Sequence, residues 1–171
     1  DPSAQVLQTE ASGEVTYGND LVVLDASHTA DGYVMICYNG SNEKVKIQVT
    51  SPDGTEYTYP VTVVGDYAVY PLPGGNGFYK VTLLESVSVE DNLYAVSFTQ
   101  DLDVQITDEF APFLHPNYYV NFTADSKCVK KGESLAGKDC YSDLDVVTQI
   151  YNFVIKNISY EDDDDMLPIA N

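Results

Sequence analysis

The chain has 171 residues, with 27 acidic side chains against 8 basic ones, all lysines, for a formal net charge of −19. That balance argues against a nucleic-acid binder, which needs clustered Lys and Arg for phosphate contacts, and against a polybasic membrane-surface protein. No apolar run approaches the roughly 18 residues of a spanning helix, and 44% hydrophobic with 20% charged residues is too apolar for a wholly disordered acidic tail.

The length suits one ordinary domain, or a small domain plus part of another. The chain opens on Asp1 rather than Met and carries no visible signal peptide, as a mature secreted chain would. A secreted or cell-surface location is the expectation.

From about residue 14 to residue 106 the dominant hydrophobic period is two. Leu21 to Asp25 reads as a strand, and so does Tyr33 to Tyr38. The latter is apolar on both faces, as expected of a central strand. Val45, Ile47 and Val49 alternate with polar residues, Ser51-Pro52-Asp53-Gly54 turns the chain, and Tyr57, Tyr59, Val61 and Val63 resume the alternation. Residues 44–63 therefore predict a hairpin. Strands follow at Tyr67 to Tyr70, Phe78 to Glu85 and Leu93 to Ile106, with a Pro- and Gly-rich loop from Pro71 to Gly77. About seven short, half-polar strands at regular spacing predict an immunoglobulin-like antiparallel β-sandwich over residues 1–106.

Residues 107–124 form an expected ordered connector, because Pro112 and Pro116 exclude regular structure while Phe110, Phe113 and Leu114 call for packing. Tyr118 to Phe122 is a possible short strand. Residues 125–171 predict a small helical segment. A first helix is expected over Ser126 to Ala136 behind Asp125, weakened by Gly132. A second starts at the N-cap Ser142, with Asp143 and Asp145 in its first turn and Lys156 near its end. In it Val147, Ile150, Tyr151, Val154, Ile155 and Ile158 recur at spacings of three and one, the period of a helix face. So wide an apolar stripe demands a partner surface, and the α portion therefore reads as incomplete. The chain ends on the acidic run 161–165 and on Met166 to Asn171, which has no period.

Chemistry-bearing residues are few. Cys37 reads as a buried thiol, whereas Cys128 and Cys140 are close enough to form a disulfide or stay as thiols. Cys140 precedes a helix N-terminus, where the dipole favours a thiolate, so a small cysteine enzyme with His115 or His28 as base is one reading. The stronger alternative is a structural or paired Cys140, since neither histidine has a readable partner. Asp101 with Asp103, Asp143 with Asp145, and Asp162 to Asp165 are the carboxylate groups a Ca²⁺ would seek, but none fits the twelve-residue loop pattern. Gly74, Gly75 and Gly77 lack the Lys-Ser/Thr of a phosphate loop. The 14 tyrosines could stack on sugars, yet most fall in phase with strand residues and read as core. The sequons Asn39-Gly40-Ser41, Asn121-Phe122-Thr123 and Asn157-Ile158-Ser159 are short patterns that recur by chance. No catalytic, cofactor or metal residue is assigned.

Three stretches, GDYAVYPLPGGNGFY (65–79), DEFAPFLHPNYYV (108–120) and SDLDVVTQIYNFVIKNISY (142–160), together resemble the N-terminal part of secreted bacterial transglutaminase-like proteins of the papain-like cysteine superfamily. The resemblance implies a β-sandwich ahead of a transglutaminase-like core whose opening helix ends in a phrase matched by Asn157-Ile158-Ser159-Tyr160. In that family the nucleophile lies in a Gly-x-Cys phrase after this helix, with the histidine and aspartate later still. Cys140 precedes the helix, so none of those roles carries over. The resemblance implies a non-catalytic accessory region, presenting an enzyme core or docking a protein or cell-wall ligand. The alternatives are a stand-alone extracellular binding or adhesion module and the small cysteine enzyme.

Overall fold

The computed structural model describes residues 6–88, 92–137, 140–159 and 169–170. They fall into two compact units, one spanning Thr9–Tyr118 and the other built mainly from the residues after it.

The first unit is all β apart from two short 3₁₀ turns. Its strands are β1 (Thr16–Gly18), β2 (Val22–Asp25), β3 (Tyr33–Tyr38), β4 (Val45–Thr50), β5 (Glu56–Pro60), β6 (Tyr67–Pro71), β7 (Gly77–Ser88) and β8 (Leu93–Val104). They form two four-stranded antiparallel sheets, ordered β1-β2-β3-β6 and β5-β4-β7-β8. The sheets share one core: Val22, Leu24, Val34 and Ile36 from the first meet Val45, Ile47, Val81 and Leu83 from the second. Strict alternation in β4 drives this, since Val45, Ile47 and Val49 are buried while Lys46, Gln48 and Thr50 are only partly so. β3 is buried along its whole length, as its two-sided apolar sequence predicts.

The phase expected from Tyr94 to Ile106 breaks inside β8. Leu83 pairs with Phe98 but Leu84 with Val96, so Ser97 is an extra residue and the strand bulges. Phe98 packs against the core while Val96 is left exposed. Tyr94 instead lies under the Lys46 ammonium, 3.9 Å from the ring centre. Ser97 Oγ donates to Glu85 Oε2 at 2.6 Å, and Tyr38 Oη of the opposite sheet donates to Glu85 Oε1 at 2.5 Å. One carboxylate thus ties the two sheets together. Burial and the bond to Glu85 push the Tyr38 phenol up.

The second unit holds β9 (Val120–Asn121), α1 (Lys127–Ala136), α2 (Asp143–Asn157) and β10 (Ile169–Ala170). β9, inside the short strand expected over Tyr118 to Phe122, pairs in parallel with β10, whose sequence has no readable period. The N-cap of α1 is Ser126 rather than the expected Asp125, which pairs with Lys130 at 3.0 Å. α2 begins as its sequence dictates: Ser142 Oγ accepts from Asp145 N–H, and the Asp145 carboxylate accepts from Tyr141 N–H at 3.0 Å. The Ser142 hydroxyl, which also donates to Asp145 Oδ2 at 2.9 Å, together with the Tyr141 N–H holds the Asp145 carboxyl below its usual range.

Candidate functional site

Two features gather the residues that could carry function. One lies in the first unit, on the face of β3 turned away from the core. There Tyr33 touches both histidines of the chain: His28 stacks parallel to it with ring centres 5.3 Å apart, and His115 tilts against it at 5.0 Å. His115 arrives on the connector, whose 3₁₀ turn Ala111–Phe113 buries Ala111 and Pro112. Its Nδ1 lies 2.9 Å from Ala111 O. The connector is pinned at either end, by Thr107 N–H donating to Ala30 O at 3.0 Å and Tyr118 N–H donating to Val69 O at 2.9 Å. Residues 107–118 thus lie on the first unit, and His28 and His115 each have a partner there.

Carboxylates surround the His28 side of this stack. Its Nδ1 is 3.0 Å from Asp31 Oδ2, and its enclosed Nε2 faces Glu10 Oε1 at 3.8 Å, too long for a hydrogen bond. Asp25 is buried at 2% exposure and accepts from Gly13 N–H at 2.7 Å and Ser27 N–H at 2.9 Å. Burial alone raises its carboxyl, but bonds from Ser27 and Gly13, with His28 nearby, outweigh that and hold it below the usual value. Burial, reinforced by Asp31, Glu10 and Asp25, pushes the Tyr33 phenol up. With its hydroxyl accepting from Glu10 N–H at 3.4 Å, the tyrosine packs the N-terminal segment and the connector onto the sheet.

The second feature is α2. Val146, Asn152 and Phe153 are partly covered, and Phe153 lies under Lys131 of α1, 4.7 Å from ammonium to ring centre. On the opposite side of the helix Leu144, Val147, Tyr151, Val154 and Ile158 are exposed, flanked by Ile150 and Ile155, with exposures from 39% to 74%. The stripe read from the sequence therefore points away from α1. So wide an apolar stripe calls for a covering surface, and among the described residues it stays largely exposed.

The remaining candidates do not assemble. Cys140 is half-buried before α2, its Sγ donating to Leu135 O at 3.5 Å, while Cys128 is an exposed thiol on α1. Cys37 is buried, and burial with the nearby Asp66 raises its thiol. Asp101 and Asp103 are exposed across from Lys80 and Phe78, and Asp143 and Asp145 serve the start of α2. The run Asp162 to Asp165 lies outside the described residues. Among the described residues no group of three or more His, Cys, Asp or Glu is placed to hold a metal ion, and no helix is long and apolar enough to cross a membrane. Gly75 and Gly77 take left-handed φ of 75° and 135° in the loop before β7. There Tyr79 Oη donates to Gly75 O at 2.9 Å and Leu72 O at 3.1 Å. Tyr33, Tyr38, Tyr59, Tyr70 and Tyr79 are buried, so a large share of the tyrosines is packing material.

Compared with protein-family models, curated proteins and solved structures, the chain gives no significant match. What the coordinates define is a mainly β protein with two antiparallel sheets and two short helices near the C-terminal end.

Proposed function

We propose that the chain is a non-catalytic accessory region of an extracellular transglutaminase-like protein, an immunoglobulin-like sandwich followed by the opening helices of a papain-like core. The observation that carries this reading is α2, whose wide apolar stripe is exposed among the described residues while its partly covered side meets α1 through Phe153. Such a helix belongs inside a larger α/β body, as the resemblance of residues 142–160 implies. Two features support the immunoglobulin-like part. Strands β2-β3-β6 and β5-β4-β7-β8 divide between the sheets as in such domains. Tyr79, at the start of β7, bonds back to Gly75 O four residues upstream, in the manner of a tyrosine corner. In this reading the sandwich presents a core or docks a protein or cell-wall ligand, and the acidic surface suits the medium outside the cell.

The test is the reading frame that follows Asn171. A Gly-x-Cys phrase succeeded by His and Asp supports the reading, and amides of α2 should then exchange at least tenfold more slowly in the extended chain than in this one. A frame that closes at Asn171 sinks it, and favours a stand-alone binding module.

A further inference from the structure

The geometry points to His28 as a proton-operated clamp, which fastens the segment ahead of β1 onto the first sheet when the medium turns mildly acidic. That segment already meets the sheet and its turn through backbone amides. Glu10 N–H reaches Tyr33 Oη at 3.4 Å, Gly13 N–H donates to Asp25 Oδ2 at 2.7 Å, and Val15 N–H donates to Ser27 Oγ at 2.9 Å. The Glu10 side chain stops short of His28: Oε1 is 3.8 Å from Nε2, and that nitrogen is enclosed and has no hydrogen-bond partner. At the other ring nitrogen, Nδ1 lies 3.0 Å from Asp31 Oδ2. Each nitrogen thus faces a carboxylate oxygen. A neutral imidazole carries one N–H, so either tautomer turns a lone pair toward one of the two carboxylates. The imidazolium donates from both nitrogens and answers both. Its charge also lies over the Tyr33 ring, with planes 5° apart and centres at 5.3 Å, where the ring face attracts a cation. Glu10 is free to swing in, because its side chain is 76% exposed, and a closure of about 1 Å makes a charge-assisted bond. The titratable groups around the ring are Glu10 from the segment, Asp31 from its own turn, Asp25 from the end of β2 and Tyr33 from β3. The connector adds His115 against Tyr33. Histidine gains its charge between about pH 8 and pH 5, a range in which carboxylates ordinarily stay ionised.

Amide exchange read by NMR on the whole chain, at about pH 8 and about pH 5, tests the clamp. Protection of the Glu10 and Gly13 amides, corrected for the intrinsic pH dependence of exchange, should rise about fivefold at the lower pH, the size of an exposed ion pair. Glu10→Gln keeps the side chain's size, removes its charge and should abolish the rise. His28→Gln should abolish it too, and His115→Gln should leave it in place. Because His28→Gln also loses the stack on Tyr33, the variant at exposed Glu10 decides the matter if the other unfolds. Equal protection at the two pH values overturns the clamp, as does a rise that survives Glu10→Gln. A rise that disappears with His115→Gln places the titration on the connector and overturns it as well. All of these outcomes are independent of the transglutaminase-like reading, which the downstream reading frame decides.

Discussion

Gly32 holds the connector against the first sheet, and Gly32→Ala probes that docking directly. The residue closes the 3₁₀ turn Thr29–Asp31 with φ at 82°, a left-handed backbone that costs an L side chain about 1–2 kcal/mol. A Cβ built there would overlap Pro112 Cγ and sit 2.7 Å from its Cδ and 2.8 Å from its N. The nitrogen is backbone and cannot rotate away. The connector must move, with Ala111 and His115, and disturb the stack on Tyr33. Overpacking of this kind adds about 1–3 kcal/mol, for a total near 3 kcal/mol. At roughly 4 °C per kcal/mol the midpoint of thermal unfolding should fall by about 12 °C. Urea denaturation followed by tyrosine emission reads the change, because the chain has 14 tyrosines and no tryptophan. Pro112→Ala removes the two ring carbons of the clash, so the cost of Gly32→Ala should drop by at least about 1 kcal/mol in that background. A Gly32→Ala protein within about 0.5 kcal/mol of the parent, or an unchanged cost beside Pro112→Ala, refutes the reasoning.

Tyr79→Phe leaves the Gly75 and Leu72 carbonyls without their donor and should cost about 1–3 kcal/mol in the same denaturation assay. A loss under about 0.5 kcal/mol would mean that Tyr79 forms no stabilising corner. Ser142→Ala removes the acceptor for Asp145 N–H and should lower the stability of the helical unit by about 1 kcal/mol, read by far-ultraviolet circular dichroism. The Asp25 carboxyl lies below its ordinary value of 3.8 in the fold, so its contribution is present above 3.8 and disappears as pH falls through the lower, folded value. Asp25→Asn should accordingly flatten the loss of stability between pH 4 and pH 2, and an unchanged slope counts against the assignment. Iodoacetamide on the native chain should label exposed Cys128 and spare buried Cys37. A mass two units low with Cys128 unlabelled would instead establish the Cys128–Cys140 bridge.

Most of the first unit was legible because each strand carries its own signal. β4 alternates, β3 is apolar on both faces, and Pro52-Asp53-Gly54 marks the hairpin turn. What escaped depends on neighbours distant in sequence. The bulge at Ser97 leaves no trace in the period of β8 until β7 is laid beside it. Gly32 carries no hint that Pro112 is the atom group it makes room for. The two histidines looked isolated because His28 reaches Tyr33 through the turn before β3, while His115 finds it only when the connector folds back over that strand. A signal did exist: a buried tyrosine on the outward side of a central strand needs a cover, and the prolines with aromatics of residues 108–117 are the available one. β10 is too short for any period to register, whereas β9 falls within the short strand expected over Tyr118 to Phe122.

The helical unit presents the opposite case, where the sequence pattern is strong and the fold leaves it unanswered. A 15-residue helix is marginal by itself in water, so α2 depends on what packs against it. Its cap, its acidic first turn and Lys156 each supply at most about 1 kcal/mol. α1 is shorter, has Gly132 inside it and meets α2 on one side. Covering the outer face is therefore the largest stabilisation still open to this unit, whichever surface does it. Helicity of α2 should rise with protein concentration if a second copy provides the cover, and rise at every concentration if a following core does. Dilution separates the two, because an intramolecular contact is indifferent to it while a dimer comes apart by mass action.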